Sequence, residues 1–240
     1  MSDIKSLGAN DVHIWRLNLN WNEPSYGSIL SDDEHRKISR FINSKHQQFA
    51  FSMRVQLRIL LSTYLQVSPE SMVFTRGEYG KPKLVNSTLF FNVTHSQDSA
   101  AVCISHLNYS GVDIEYWRDV SNREKLVERH YSNDERALWA ELEENKKQAT
   151  FFKRWTCKEA FIKATGRGLG MGLKNCSFRV YDEPQLLACL PEYGLATEWT
   201  CRTLNWGKAI SATLVVKANN CNVKQFDFDP KCLPAGDGSL

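Results

Sequence analysis

Two carboxylates near the middle of this 240-residue sequence, Asp113 and Glu115, are spaced as a pair that could hold a cation. Residues 110–115 read SGVDIE, and the alternation predicts a strand with Val112 and Ile114 on one face and both carboxylates on the other. Such neighbours lie about 7 Å apart at Cα, and two carboxylates that close repel each other unless a cation or open water intervenes. The pattern indicates a hard-cation site, with Mg²⁺ favoured because few carboxylates are offered. An ordinary pair on an edge strand would have the same spacing.

A third carboxylate and a lysine lie on a helix predicted over 151–168, FFKRWTCKEAFIKATGRG. Apolar residues recur there at helical spacing, and Gly166 and Gly168 end the helix. Glu159 and Lys163 are four residues apart and therefore share a face. A surface ion pair, contributing a few tenths of a kcal/mol, would have the same spacing. The acidic pair upstream is what favours a shared site.

Basic residues upstream form candidate anion sites. A long helical region from Ser31 to about Leu65, divisible into two helices, carries a basic series: Arg36, Lys37, Arg40, Lys45, Arg54 and Arg58. The turn RGEYGKPK at 76–83 combines two glycines with cations and can bring backbone close to a ligand. Polar residues Thr94, His95 and Ser96 follow an apolar strand. A solvated helix face, a plain hairpin and a local polar network are the ordinary explanations, and the sequence leaves both possibilities open.

The whole composition is that of a soluble globular protein, with 42% hydrophobic and 24% charged residues. A net charge of +3 predicts no nucleic-acid binding, and no stretch is long and apolar enough to span a membrane. Seven cysteines without CxxC spacing predict reduced thiols. We therefore expect a cytoplasmic protein, without a signal peptide, that binds neither nucleic acid nor membrane.

Two similar halves are suggested by a faint internal echo. Each half has a helix carrying aromatic and basic residues, then a glycine-containing turn and short strands: 48–65 with 77–82, and 151–164 with 166–172. Other predicted elements are a strand at 12–20, helices over 123–145 with a break at 131–132, and strands at 72–75, 89–93, 100–105, 177–181, 197–203 and 209–217. The tail from residue 219 is rich in Asp, Pro and Gly and is expected to fray.

These motifs resemble a known family. GVDIE at 111–115 and WTCKEAFIKATGRGL at 155–169 are similar to the signature of the 4'-phosphopantetheinyl transferases. GEYGKP at 77–82 and FNVTHS at 91–96 resemble its larger, surfactin-synthetase-activating (Sfp) branch. The resemblance covers about 34–216 and implies an α+β fold, a pseudodimer of two similar α/β halves with the active site in the cleft between them. Residues 1–109 would bind coenzyme A, 110–218 would carry the Mg²⁺ and catalytic residues, and 219–240 would be a flexible tail.

The resemblance implies an enzyme, a holo-acyl-carrier-protein synthase, which moves phosphopantetheine from coenzyme A to a serine of apo acyl or peptidyl carrier proteins and leaves 3',5'-ADP. Three carboxylates would hold Mg²⁺: Asp113, Glu115 and Glu159. Glu159 would also be the base, Lys163 would stabilise charge on phosphate, and His95 would hydrogen-bond phosphate. The remaining coenzyme A contacts would come from Lys37, Arg54, Lys81 and Thr94, with Lys163 and His95. Glu135 matches an acidic position of some members.

One departure from the family pattern concerns the 3'-phosphate, because Glu34 lies where some members carry a second lysine. Carrier docking would use basic residues such as Lys125 or Arg129 for steering, with apolar side chains for affinity, and the protein would be a monomer. A Mg²⁺-dependent nuclease or phosphodiesterase is one alternative, although such folds place the Glu and Lys two apart on a strand. A catalytically inactive carrier-binding module is the other, although it would be expected to lose carboxylates.

Overall fold

A computed structural model describes residues 6–181 and 183–230. The described residues form eleven strands: β1 (Asp11–Asn18), β2 (Phe74–Arg76), β3 (Pro82–Leu84), β4 (Phe90–Ser96), β5 (Ser99–Ser105), β6 (Ser110–Tyr116), β7 (Ser177–Arg179), β8 (Gln185–Ala188), β9 (Thr200–Thr203), β10 (Ile210–Val216) and β11 (Asn222–Asp227). Their α-helices are α1 (Asp32–Ser39), α2 (Ser44–Leu65), α3 (Arg123–His130), α4 (Asn133–Ala140) and α5 (Glu144–Thr165). Short 3₁₀ helices lie at Pro24–Ile29, Pro69–Ser71, Gly168–Met171, Leu173–Asn175, Pro191–Tyr193 and Ala196–Glu198. The expected α+β class is confirmed.

The first half is a four-stranded sheet, in the order β11-β1-β5-β4, with the 22-residue helix α2 packed on one face. Asn43 starts α2, because its side chain accepts hydrogen bonds from the backbone N–H groups of Lys45 and His46. Leu60 and Leu61 of α2 are fully buried against Leu17, Val102 and Ile104 of the sheet. The apolar stripe of α2 thus meets the alternating apolar residues of the strands. The remaining core residues on this face include Trp15, Leu19, Phe91 and Ala100.

The second half repeats this plan with a three-stranded sheet, in the order β6-β10-β9, and the 22-residue helix α5. α5 ends at Gly166, whose left-handed backbone (φ +75°) suits glycine at a helix C-terminus. Phe161 packs against Phe178 and Trp199 in the core behind α5. Two sheets, each covered by a helix of equal length, confirm the expectation of two similar halves.

The halves meet along β4 and β6, and the chain passes between them at 105–110. Side chains of β4 reach across this junction. The Asn92 Oδ1 accepts from the Val112 N–H at 2.8 Å, and the Ser96 Oγ accepts from the Tyr116 N–H at 3.1 Å. Asn92 and Ser96 of β4 therefore satisfy backbone groups of β6, while Thr94 between them donates to the Asp113 side chain.

The tail differs from its expected flexibility, since residues 222–227 form β11, which pairs in parallel with β1. The physical reason is aromatic burial: the Phe226 ring stacks on that of Trp15 with centroids 4.5 Å apart, and Phe228 packs into the same core. The Lys224 Nζ also lies 3.1 Å from Asp11 Oδ2. Residues 231–240 lie outside the described residues. Among the helices that are described, none is long and apolar enough to cross a membrane.

Candidate active site

The centre of the site is Asp113 on β6, which is 4% exposed. Its Oδ1 accepts hydrogen bonds from Lys163 Nζ of α5 at 2.5 Å and from Thr94 Oγ1 of β4 at 2.8 Å. Lys163 Nζ also donates to Thr94 Oγ1 at 2.8 Å. Burial raises the pKa of Asp113, while Lys163 and Thr94 oppose that rise. The structure therefore brings together one residue from each of three elements on both sides of the junction.

Glu115 lies two residues along β6 and is partly buried. Its Oε2 accepts from Ser96 Oγ of β4 at 3.0 Å and from Arg118 Nη1 at 2.7 Å. The strand alternation places both carboxylates on one side of β6, as the sequence predicted, and both accept hydrogen bonds from side chains of β4. Lys163 forms its ion pair with Asp113 and not with Glu159. The surface ion pair between Glu159 and Lys163, which the spacing also allowed, is therefore not formed.

Glu159 lies one helical turn before Lys163 on α5. Burial, followed by the negative charges of Asp113 and Glu115, raises the pKa of Glu159 to about 7. Within 6–181 and 183–230 no group donates a hydrogen bond to the Glu159 carboxylate. A carboxylate with that pKa can accept and release a proton near neutral pH.

Whether these carboxylates suit a cation can be tested on their partners. Asp113 Oδ2 is buried and has no hydrogen-bond partner, which is costly for an oxygen in this position. Burial raises the pKa of Glu159 most, and the negative charges of Asp113 and Glu115 raise it further. Yet no three His, Cys, Asp or Glu side chains among the described residues are gathered closely enough to enclose a metal ion. The donor set thus fits a hard cation in kind, and the side chains would have to converge to hold one.

His95 of β4 alternates with Thr94 and Ser96 and so faces away from β6, into a cavity of about 530 Å³. The cavity is lined by residues of α2 and its preceding loop, including Phe41, Lys45, His46, Phe49 and Met53. Desolvation and then Lys163 lower the pKa of His95, which Glu115 partly offsets. The charges of Lys163 and Glu115 therefore both influence the protonation of His95.

A second cavity, of about 600 Å³, lies between α1, α2 and the β2–β3 hairpin. Arg54 and Met53 line both cavities, and Lys37 and Arg76 line the second alone. Arg54 Nη1 donates to Ala50 O at 3.0 Å, and burial lowers the pKa of Arg54. Lys37 forms an ion pair with Asp33 one turn earlier. Lys37 and Arg54, both predicted to meet phosphates, thus line one cavity.

Glu34, the departure from the family pattern, also lines the second cavity. It caps α1 and lies 2.8 Å from Nη2 of Arg58, which is 3% exposed. Arg58 Nη1 donates in turn to the carbonyls of Pro69 and Met72. This pair holds the start of α1 against the segment before β2, so that Arg58 is structural and leaves the anion-binding series.

Lys81 differs most from its expected role. Its Nζ donates to the carbonyl oxygens of Ser110 at 3.1 Å and of Ala164 at 3.2 Å. Burial lowers the pKa of Lys81 to about 8. The ammonium group is therefore directed at the backbone of the second half, and the lysine stem runs past Gly166.

Glu135 and Lys158, the lysine beside Glu159, are buried together behind α5. Lys158 Nζ lies 2.7 Å from Glu135 Oε2 and donates to the carbonyl of Leu173 at 2.9 Å. Glu135 also caps α4 and accepts from the Phe178 N–H at 2.8 Å. This network fixes α4 and β7 to α5, which makes Glu135 a structural residue in this fold.

Sequence reasoning named Ser96 and Arg76 only as members of larger polar or basic groups, and it missed Arg118. Ser96 and Arg118 both donate to Glu115, and Arg76 lines the cavity beside Arg54. The signal for Ser96 was present in the alternation Asn92, Thr94, Ser96, which places three polar side chains on one edge of a strand. Arg118 follows β6 in a loop, where spacing gives no direction to a side chain.

The sequence of this chain is similar to those of known proteins. Residues 110–214 match the 4'-phosphopantetheinyl transferase superfamily, and residues 21–107 match "4'-phosphopantetheinyl transferase, N-terminal". The 4'-phosphopantetheinyl transferase HetI of Nostoc sp. is 36% identical over 171 residues, which are 68% of this chain and 72% of HetI. The 4'-phosphopantetheinyl transferase Sfp of Bacillus subtilis is 26% identical over 166 residues, which are 69% of this chain and 73% of Sfp.

Among solved structures, holo-acyl-carrier-protein synthase (AcpS) of Thermotoga maritima aligns with a TM-score of 0.37 and 22% identity, over 48% of this chain and 65% of that one. The two family matches meet between β5 and β6, where the chain passes from one sheet to the other.

Proposed function

Because this chain belongs to the 4'-phosphopantetheinyl transferase family, we propose that the residues gathered by β4, β6 and α5 transfer phosphopantetheine from coenzyme A to a serine of an apo carrier protein. The observation that carries the proposal is the contact of Lys163 with Asp113, one turn from Glu159, at the junction of the two halves. Neither the nuclease nor the inactive binding module gains support from the relatives.

Mg²⁺ would be held by Asp113, Glu115 and Glu159, the three carboxylates that repel one another in this cleft. When bound, the ion would neutralise charge on the non-bridging oxygens of the coenzyme A diphosphate. Asp113 is positioned for this by Thr94 and Lys163, and Glu115 by Ser96. The orphaned Oδ2 of Asp113 would then gain a partner.

The reaction forms a bond between the serine oxygen and the β-phosphorus and breaks the bond from that phosphorus to the bridging oxygen, which leaves with 3',5'-ADP. Glu159 would accept the serine proton, directly or through water. Lys163 would stabilise the charge that develops on phosphate.

The phosphates of coenzyme A would be met by residues of the first half. His95 lines the first cavity and is influenced by the charges of Lys163 and Glu115, and Arg54 lines both cavities. Lys37 lines the second cavity. Together with Thr94, these residues would bind coenzyme A to the first half, residues 1–109. The second half, residues 110–218, would supply the Mg²⁺ ligands and the catalytic residues.

We further propose a cytoplasmic monomer that serves fatty-acid, polyketide or peptide synthesis. A monomer is supported by both halves of the cleft lying in one chain. The six described cysteines are unpaired, as in a reducing compartment. Lys125 and Arg129 are exposed on α3 and are available to steer an acidic carrier. A trimer that persists at every protein concentration in sedimentation would contradict the monomer.

The experiment is to incubate the protein with coenzyme A, Mg²⁺ and a panel of apo carriers from the three pathways, and to weigh the carriers. A mass gain of one phosphopantetheine group is expected on at least one carrier, with none in EDTA. Asp113→Asn and Glu159→Gln should each lower kcat by about 100-fold or more. Asp119→Asn, which changes an exposed carboxylate after β6, is the matched control. Full turnover of Asp113→Asn, or turnover in EDTA, would refute the assignment.

A further inference from the structure

The β2–β3 hairpin of the first half is fastened to the end of α5 in the second half at two points. Lys81 Nζ donates to the carbonyls of Ser110 and Ala164. Arg167 Nη1 donates to Tyr79 OH at 2.6 Å, and its guanidinium lies 4.7 Å from the centre of the Tyr79 ring. Both hairpin residues therefore contact the segment that immediately follows the catalytic turn.

The contact made by Lys81 suits a cation for electrostatic reasons. Ala164 belongs to the last turn of α5, where carbonyl groups lack partners within the helix and carry partial negative charge. A Cβ on Gly166 would lie 3.3 Å from Lys81 Cδ, so that the lysine stem crosses the helix end where a side chain would crowd it. The hydrogen bonds to two carbonyl oxygens offset the cost of removing the Lys81 ammonium group from water.

The same hairpin also forms a wall of the cavity proposed for the nucleotide, through Arg76 and Pro82. Pro82 follows Lys81 directly, and Lys163 precedes Ala164 directly. The contact between Lys81 and Ala164 thus joins the wall that would bind coenzyme A to the helical turn that would act on it. Lys83, two residues on, is exposed and takes no part in this contact.

We propose that Lys81 is a positioning residue, which ties the hairpin to the end of α5 and so fixes the bound coenzyme A relative to Lys163 and Glu159. This inference rests on the proposed transferase function. Its rival is the expectation that Lys81 binds a phosphate of coenzyme A. The two predict different kinetics, because misplacement of reacting groups lowers kcat whereas loss of a binding contact raises KM.

The test compares Lys81→Met, which keeps the stem and removes the ammonium group, with Lys83→Met as the matched control. We expect Lys81→Met to lower kcat by about 10- to 100-fold with KM for coenzyme A changed less than about two-fold. The ratio of kcat/KM for coenzyme A to that for 3'-dephospho-coenzyme A should stay the same. A KM raised about ten-fold at constant kcat, or a changed ratio, would overturn the proposal in favour of phosphate binding. Lys83→Met should match the wild type.

Hydrogen–deuterium exchange on the same variants needs no substrate and separates this proposal from the proposed function. Faster exchange at the end of α5 in Lys81→Met alone is expected. If the wild type modified no carrier while this exchange still quickened, the transferase function would fail and the tie would stand. Unchanged exchange in an active protein would refute the tie. Should Lys81→Met not fold, Lys81→Gln replaces it in both measurements, with the same expected result and the same refuting results.

Discussion

Gly111 provides the sharpest test of how β6 and α5, the two elements proposed to carry the catalytic residues, are held together, because α5 lies directly on β6 there. A Cβ at this position would lie 2.2 Å from the Ala160 carbonyl oxygen and 2.4 Å from the Ala164 amide nitrogen. Both are backbone atoms of a helix, which cannot rotate aside as a side chain does. The 2.2 Å separation falls 0.8 Å short of 3.0 Å, below which real Cβ contacts are essentially absent. Gly111→Ala must therefore push α5 from β6 by nearly 1 Å.

That displacement has two measurable consequences. Overpacking of a filled core costs about 1–3 kcal/mol, and the rigidity of the backbone atoms predicts the upper end, about 3 kcal/mol of unfolding free energy. Glu159 and Lys163 move with α5 while Asp113 stays on β6, and a misplacement near 1 Å lowers catalysis by about 100-fold. Denaturant unfolding measures the first effect and steady-state transfer to a carrier measures the second.

Gly170→Ala is the control, since a Cβ there meets nothing within 4 Å and the glycine lies in the short 3₁₀ helix that follows α5. Its unfolding free energy should stay within about 0.5 kcal/mol of the wild type, with unchanged kcat/KM. If Gly111→Ala kept both wild-type stability and kcat/KM within two-fold, the argument that β6 and α5 must touch at glycine would be refuted.

Three further outcomes are expected. Arg58→Met should lower the unfolding free energy by about 3–5 kcal/mol, because the Glu34 carboxylate and two carbonyls lose a buried partner; a loss below 1 kcal/mol would contradict this. Lys224→Met should lower the melting temperature at neutral pH, and the gap should close in acid. Hydrogen bonds, first of all from Lys224, hold the pKa of Asp11 at about 2, below its ordinary 3.8. The stabilisation is therefore present above pH 3.8 and is lost as the pH falls through about 2. A difference in melting temperature that persists in acid would contradict this role of Lys224. Raising the salt from about 0.05 to 0.5 M should raise KM for an acidic carrier several-fold at constant kcat, because salt screens steering residues such as Lys125. A large fall in kcat at unchanged KM would show instead that salt acts on the metal or coenzyme A site.

The sequence predicted most of what depends on local periodicity. The strand at 110–115 and the helix end at Gly166 are confirmed, because alternation and glycine are encoded within a few residues. The break at 131–132 is also confirmed, since Ser132 caps α4. The Glu159–Lys163 spacing placed both residues on one helix, although it could not show that Lys163 pairs with Asp113.

What escaped prediction depends on residues distant in sequence. Lys81 turns from the expected phosphate to the carbonyl of Ala164, 83 positions away, and only the packed fold brings these together. Glu34 looked like a lost phosphate contact, and its partner Arg58 lies 24 positions on, across a helix boundary. The short strands β3 and β8 lacked enough residues for a period to be read.

The pairing of β11 with β1 bears on how the protein is made. Ribosomes deliver the chain from its amino end, so β1, β4, β5 and α2 emerge long before their last sheet partner. Until residues 222–227 are synthesised, the β1 edge is unpaired and Trp15 lacks the ring of Phe226. The second half, whose sheet needs only β6, β9 and β10, can be completed first. Synthesis that halts before residue 222 therefore leaves a complete second half beside a first sheet whose β1 edge is exposed, and an exposed edge promotes aggregation.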